Sequence, residues 1–134
     1  MKKLILVLLL SAAFARVQAA FILIPMDDTQ KNHLKAYGIA YYALQNTVDV
    51  QWLLNYKGGS FLLSDIRKLE EECTIRGVSF QVIADVQATA ILQEIADPEV
   101  NMEIMKLEKA PKIAVYSPKN KMPWDDAVTM VLKY

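Results

Sequence analysis

Apolar and polar positions alternate along the chain in blocks that predict strands and helices in turn. Short apolar runs predict buried strands, and they cover residues 21–24, 48–54, 78–84 and 112–116. Apolar residues at helical spacing predict helices, and these cover residues 30–45, 64–76, 88–96 and 124–133. Strands that alternate with helices of this length indicate βαβ units. The pattern therefore predicts an α/β fold of three layers, with a mainly parallel sheet of flavodoxin or Rossmann type.

The same pattern divides the chain into parts. Residues 20–96 are predicted to form a βαβαβα domain, and Asp97-Pro98 begins a linker over 97–111. Residues 112–134 are predicted to start a second α/β unit that stops before its next strand. In the helix predicted at the end, an apolar face is formed by Trp124, Ala127, Val128, Val131 and Leu132. We predict a fragment whose exposed C-terminal helix favours self-association.

The first nineteen residues have the pattern of a signal peptide. Lys2 and Lys3 precede the unbroken apolar run Leu4–Leu10, and Val17-Gln18-Ala19 places small residues at the −3 and −1 positions of a cleavage site. The apolar part is shorter than the roughly 20 residues that a membrane-spanning helix needs. A buried first strand or a membrane anchor is the alternative. We predict export to the periplasm or the cell surface, with cleavage near Ala19.

Composition after cleavage narrows the possible partners. Cleavage of the signal peptide would remove three basic residues. The mature chain of about 115 residues would then have 12 basic and 15 acidic residues. Nucleic-acid binding requires clustered Lys and Arg, so we predict that the chain does not bind nucleic acid. No second apolar run could span a membrane. Cys73 is the only cysteine and excludes an intramolecular disulfide; it is predicted to be a core residue of helix 64–76.

Two adjacent aspartates stand where the first strand gives way to the first helix. Asp27 and Asp28 fit a ligand site, since open α/β sheets bind ligands beyond the carboxyl ends of their strands. They also fit a structural role, because aspartate caps a helix N-terminus and complements its dipole. Capping is the favoured interpretation. Two neighbouring carboxylates supply too few ligands for a metal ion, and we predict neither a metal nor a cofactor.

Other loops add to a candidate binding surface. Gly58 and Gly59 would permit close approach of a ligand to the backbone, although a plain turn after a strand accounts for them equally well. The candidate ligand-binding residues are Asp27, Asp28, Gly58, Gly59, Ser60, Trp124 and Asp125. The ligand would be a small polar molecule or a protein partner. The stripe Leu34, Tyr37, Tyr41 and Leu44, at helical spacing, is predicted instead to pack against the sheet.

Long stretches of the mature chain carry a resemblance. They are LIPMDDTQKNHLKAYGIAYYAL, WLLNYKGGSF, EEECTIRGVSF and KLEKAPKIAVYSPKNKMPWDDAVTMVL. Together they resemble a family of exported proteins from Bacteroidetes-type bacteria that is commonly labelled "asparagine synthetase B". The resemblance covers nearly all of the mature chain. It implies that relatives continue past Tyr134, and that the part from Lys112 is similar to the opening of a glutamine-amidotransferase-like α/β domain.

The residues do not support asparagine synthetase activity. Those enzymes use a cysteine directly after the initiator methionine, where this chain has Lys2, and an ATP loop of the type Ser-Gly-Gly-x-Asp-Ser. Lys57-Gly58-Gly59-Ser60 differs in order and lacks the aspartate. We therefore predict a binding domain without its own catalytic centre. The alternative is part of an amidotransferase-like or hydrolase enzyme whose catalytic residues lie beyond Tyr134.

Overall fold

A computed structural model describes residues 20–112 and residue 114 of the chain. Five strands and three α-helices follow one another, and a short 3₁₀ turn joins two of the strands. In chain order they are β1 (Ala20–Ile24), α1 (His33–Gln45), β2 (Val50–Leu54), the 3₁₀ turn (Tyr56–Gly58), β3 (Ser60–Ser64), α2 (Arg67–Arg76), β4 (Gln81–Ala84), α3 (Asp85–Ile95) and β5 (Glu103–Leu107).

The five strands form one sheet in the order β4-β1-β3-β2-β5, and every neighbouring pair is antiparallel. Ile22 lies opposite Leu63 on one side and Val82 on the other. The prediction of a mainly parallel flavodoxin or Rossmann sheet was therefore wrong. The order of the first four strands is that of the split β-α-β-β-α-β, or ferredoxin-like, arrangement. Helix α3 and strand β5 extend it.

The error has a physical cause in the strand that the apolar pattern leaves out. β1 and β2 run in the same direction and are joined by α1, but β3 lies between them. β3 and β4 are likewise separated by β1. The pattern assigns residues 57–60 to a break and starts a helix at residue 64, so the apolar run Phe61–Leu63 is not counted as a strand. Without β3, the remaining strands and helices resemble consecutive βαβ units.

Two hydrophobic cores lie on opposite faces of the sheet. On one face, α1 and α2 cover Ile22, Ile24 and Phe61. On the other, α3 covers Leu23, Leu62 and Ile83. Successive residues of β1 point to opposite faces, which explains how one short apolar strand contributes to both cores. Helices therefore cover both faces of the antiparallel sheet.

The buried stripe of helix α1 shares only Leu44 with the predicted one. Its buried positions are Ala36, Ile39, Ala40, Ala43 and Leu44. Of the predicted stripe, Leu34 is 84% exposed and Tyr37 is 48% exposed. Small alanine side chains let the helix axis approach the sheet closely, and the bulkier tyrosines are displaced to the border of the contact.

β5 lies within the segment 97–111 that the sequence pattern predicts as a linker. It pairs with β2 along its length, from Val50 opposite Leu107 to Leu54 opposite Glu103. Most of its side chains are exposed, including Ile104 and Met105. Backbone hydrogen bonds with β2, more than buried side chains, hold this strand in the sheet.

Cys73 is fully buried between α2 and the sheet, as predicted. Burial, reinforced by the nearby carboxylates of Glu70 and Glu72, raises the pKa of its thiol to about 11. Since the thiolate is the reactive form, we expect negligible labelling of the folded protein by a disulfide reagent at pH 8. Labelling in guanidinium chloride should be complete and fast. Rapid labelling of the folded chain, at a rate unrelated to its unfolding, would contradict the buried position.

Candidate functional site

The loop after β1, residues 25–32, lies against the loop between β2 and β3, residues 55–59. The backbone N–H of Met26 donates a hydrogen bond to the carbonyl of Lys57 at 3.0 Å. This contact brings together five of the predicted site residues: Asp27, Asp28, Gly58, Gly59 and Ser60. Trp124 and Asp125, the other two, lie outside the described residues.

Gly58 is required by this contact between loops. Its φ angle is +79°, and a Cβ atom at this position would lie 2.3 Å from the carbonyl oxygen of Met26. Asn55 and Lys57 in the same loop also have positive φ, at 62° and 43°. Glycine is therefore required at position 58 by the backbone conformation and by the close approach of Met26.

The polar atoms of the next two residues are also used inside the protein. The carbonyl of Gly59 accepts a hydrogen bond from Nε1 of Trp52 at 3.0 Å. The Ser60 side chain is fully buried, and its hydroxyl donates to the carbonyl of Tyr56 at 3.0 Å. These groups support the hairpin between β2 and β3, and they are not directed at an external ligand.

Asp27 closes a turn, and neither aspartate caps the helix. The Asp27 carboxylate accepts hydrogen bonds from the hydroxyl and the backbone N–H of Thr29, and these bonds lower its pKa. Helix α1 begins at His33, and its N-cap is Asn32, whose Oδ1 accepts from the N–H of Lys35 at 3.0 Å. The prediction that Asp27 and Asp28 cap a helix starting at residue 30 was therefore wrong.

His33 ties the first turn of α1 back to the same loop. Its Nε2 lies 3.2 Å from the carbonyl oxygens of both Met26 and Asp27. Both oxygens can only accept, so Nε2 carries a proton and donates. Nε2 used in this way is not free to bind a metal ion, and in this tautomer of the neutral ring the unprotonated nitrogen is Nδ1.

Replacement of the N-cap gives a direct measure of its role. We expect Asn32→Ala to lower the free energy of unfolding by about 1 kcal/mol, because the N–H of Lys35 loses its acceptor. Asp28→Ala is the matched control: its side chain is exposed outside the helix and should be neutral. Denaturant titration of both variants tests the assignment. A larger loss from Asp28→Ala than from Asn32→Ala would restore Asp28 as the capping residue.

A buried glutamine, which the sequence did not single out, holds the loop to the rest of the domain. Gln30 is 5% exposed. Its side-chain amide donates to the carbonyls of Pro25 and Ser79, and its oxygen accepts from the N–H of Ser79. Glutamine in a polar stretch carries no sequence signal for burial, so this link between β1 and the start of β4 appears only in the structure.

An apolar groove lies beside this loop cluster, between α1 and the β2–β5 edge of the sheet. It has a volume of about 210 Å³, and its lining residues include Tyr37, Tyr41, Trp52, Phe61, Leu107 and Pro111. We call it the aromatic groove. The Phe61 ring packs edge-on against Tyr37 and stacks with Trp52, at centroid distances of 5.4 and 6.1 Å. Because the indole of Trp52 is fixed by Gly59, the glycine loop shapes the groove.

Comparisons with protein-family models, with curated proteins and with solved structures find no match to this chain. Membership of the family labelled asparagine synthetase B therefore stays a prediction. Across residues 20–112, no helix combines the length and apolar character that crossing a bilayer demands. Within the same residues, no group of three or more His, Cys, Asp or Glu is arranged to hold a metal ion.

Proposed function

We propose that this chain is the leading, non-catalytic domain of a larger exported protein, and that it binds through the aromatic groove. Its partner is the α/β unit that the sequence predicts to begin at Lys112. The groove carries this proposal, since it is the apolar, aromatic-walled concavity at the edge of the described domain. Aromatic side chains in such positions supply much of the contact energy in protein interfaces.

The chemistry of the groove favours a polypeptide partner over the small polar ligand. The polar atoms of Gly59 and Ser60 have internal partners, and Gly58 is pressed against Met26. At residues 58–60, a small polar ligand would therefore find few free donors or acceptors. The groove presents ring faces and aliphatic carbon, which suit leucine-, valine- or tryptophan-like side chains.

The position of Pro111 favours the following unit of the same chain as the occupant. Pro111 lines the groove, so the chain leaves the described domain at the groove itself. The next residues, Ile113-Ala114-Val115-Tyr116, are apolar, and Trp124 lies a few residues beyond them. A short tether gives a high effective concentration, so modest contacts are enough to hold the two units together.

A catalytic role within the described residues has little support. The single cysteine is buried, and the pKa of its thiol is raised, so it is poorly suited to act as a nucleophile. The amidotransferase-like or hydrolase alternative places the catalytic residues of the whole protein beyond Tyr134. A docking domain is compatible with that alternative.

The test uses the mature chain, residues 20–134, in solution. We expect nuclear Overhauser contacts between the rings of Tyr41 and Trp52 and side chains of residues 113–134. Tyr41→Ala should weaken these contacts, whereas Leu34→Ala, on the exposed side of α1, should leave them unchanged. In a sample that mixes labelled and unlabelled chains, contacts between different molecules would show that a second copy fills the groove. That result would overturn the proposal. So would the absence of nuclear Overhauser contacts between the groove rings and residues 113–134.

The export part of the proposal has its own test. The n-region, the apolar run and the Val-Gln-Ala site predict that the exported protein begins at Ala20. Amino-terminal sequencing of material expressed in a Gram-negative host should read Ala-Phe-Ile. Retained Met1 in the cytoplasmic fraction would contradict export.

A further inference from the structure

Three acidic residues lie at sequence positions near the end of the sheet where β1 begins. Asp65 directly follows β3, Asp85 directly follows β4, and Glu70 lies in the first turns of α2. Ala20, the first residue of β1, pairs with Ala84, and its carbonyl accepts a hydrogen bond from the N–H of Asp65 at 2.9 Å. The start of β1 is therefore placed between Asp65 and the segment that leads into Asp85.

One oxygen of this cluster lacks a donor. Oδ1 of Asp65 is inaccessible to solvent and has no hydrogen-bond partner in the part of the chain that the structure describes. Its carboxyl also shares a hydrogen bond with Glu70, and this bond raises the pKa of Glu70. The nearby cation Arg67 is paired with Glu71 at 3.1 Å. A buried acceptor without a donor lowers the free energy of unfolding. Because the acceptor belongs to a carboxylate, a positively charged donor would satisfy it best.

Strand geometry shows which residue the Ala20 nitrogen faces. The N–H and C=O groups of one residue in an antiparallel ladder point to the same neighbouring strand. Because the carbonyl of Ala20 points at Asp65, its nitrogen does too. Opposite residues of such a pair have Cα atoms about 5.5 Å apart, which a terminal ammonium and an aspartate side chain can bridge.

We propose that the α-ammonium of Ala20, released when the signal peptide is cleaved after Ala19, pairs with the Asp65 carboxylate and fixes the first strand. The proposal rests on the export part of the proposed function. Cleavage is hydrolysis: water adds a hydroxyl to the Ala19 carbonyl carbon and a proton to the Ala20 nitrogen, and a second proton from solvent completes the ammonium. A neutral amide with one N–H becomes a cation with three donors beside the Asp65 carboxylate. Processing thus stabilises the domain.

The test compares a chain that starts at Ala20 with a free amine and the same chain acetylated at Ala20. Each is prepared with Asp65 and with Asp65→Asn, and Asp28→Asn at the other end of β1 is the control. We expect acetylation to lower the folding equilibrium constant about tenfold in the Asp65 and Asp28→Asn chains, equivalent to one pKa unit. The effect should largely disappear in Asp65→Asn. Equal effects in all three chains would overturn the proposal.

A second measurement stands even if Asp65→Asn does not fold. NMR titration of the Ala20 methyl group in the unmodified mature chain should give an amine pKa above the ordinary value of about 7.7–8.0, because the Asp65 carboxylate favours the cation. The added stability should be present below the ordinary pKa and lost as pH rises through the raised one. An ordinary pKa would overturn the ion pair. Retained Met1 in cells would instead overturn only the link to processing, since the titration uses a chain made to start at Ala20.

Discussion

Replacing Gly58 by alanine is expected to lower the free energy of unfolding by about 3 kcal/mol. An L-residue in the left-handed region costs about 1–2 kcal/mol, and Gly58 has φ +79°. The new Cβ would also lie 2.3 Å from the backbone oxygen of Met26, which has no rotamer by which to move away. Relief of this clash requires the two loops to separate, and the hydrogen bond from Met26 to Lys57 contributes about 1 kcal/mol more.

Gly77 provides a matched control for this substitution. Its φ is +68°, but no atom lies within 4 Å of the position of an added Cβ. Gly77→Ala should therefore cost only the conformational part, about 1–2 kcal/mol. Denaturant titrations of both variants separate the two contributions. Equal losses would show that the loops tolerate separation, and that Gly58 was free to serve a ligand.

The same variant bears on the aromatic groove. Gly59 follows Gly58 and fixes the indole of Trp52 through its carbonyl. Movement of the loop would release that indole, so Gly58→Ala should also shift the ring signals of Trp52 and Phe61. Gly58 and Gly59 therefore influence the groove through the position of Trp52. A substitution at Gly58 would affect docking indirectly, through that indole.

The sequence predicts most individual elements well but not how they are joined. Apolar runs locate β1, β2 and β4 because buried strands need them. The missed hairpin had a usable signal: apolar residues on both sides of a short loop with Gly58 and Gly59 are typical of a β-hairpin. Once β3 is recognised, the β2–β3 pair must be antiparallel, because a short hairpin loop cannot join adjacent parallel strands.

β5 and the N-cap could not be predicted in the same way. β5 buries little and carries Glu103 and Lys106 among exposed apolar residues, so its place depends on backbone pairing at an edge. For the cap, Asp27, Asp28, Thr29 and Asn32 are all suitable residue types. The choice of Asn32 depends on tertiary contacts, since the side chain of Gln30 holds the loop in a non-helical path up to that point.

Gln30→Ala is expected to lower the free energy of unfolding by about 3 kcal/mol, because it leaves several buried groups without partners. The N–H of Ser79 donates to Gln30 at 2.9 Å, and the carbonyls of Pro25 and Ser79 accept from it at 2.9 and 3.1 Å. Each buried polar group left unsatisfied costs about 1–3 kcal/mol, and water entering the space would recover part of the loss. Denaturant titration measures the change.

The exposed residue Gln93 of α3 is the control, since Gln93→Ala should change stability by less than about 0.5 kcal/mol. Hydrogen exchange then locates the effect. In the wild-type chain the N–H of Ser79 is bonded to the Gln30 side chain, so it should exchange much faster in Gln30→Ala than the core amides of β1 and β3. Because Gln30 and Ser79 are 49 positions apart in the chain, loss of their hydrogen bonds should free the loop at 25–32 and the start of β4 together. Undiminished protection of Ser79 would mean that the loop is held by other contacts and that Gln30 is dispensable.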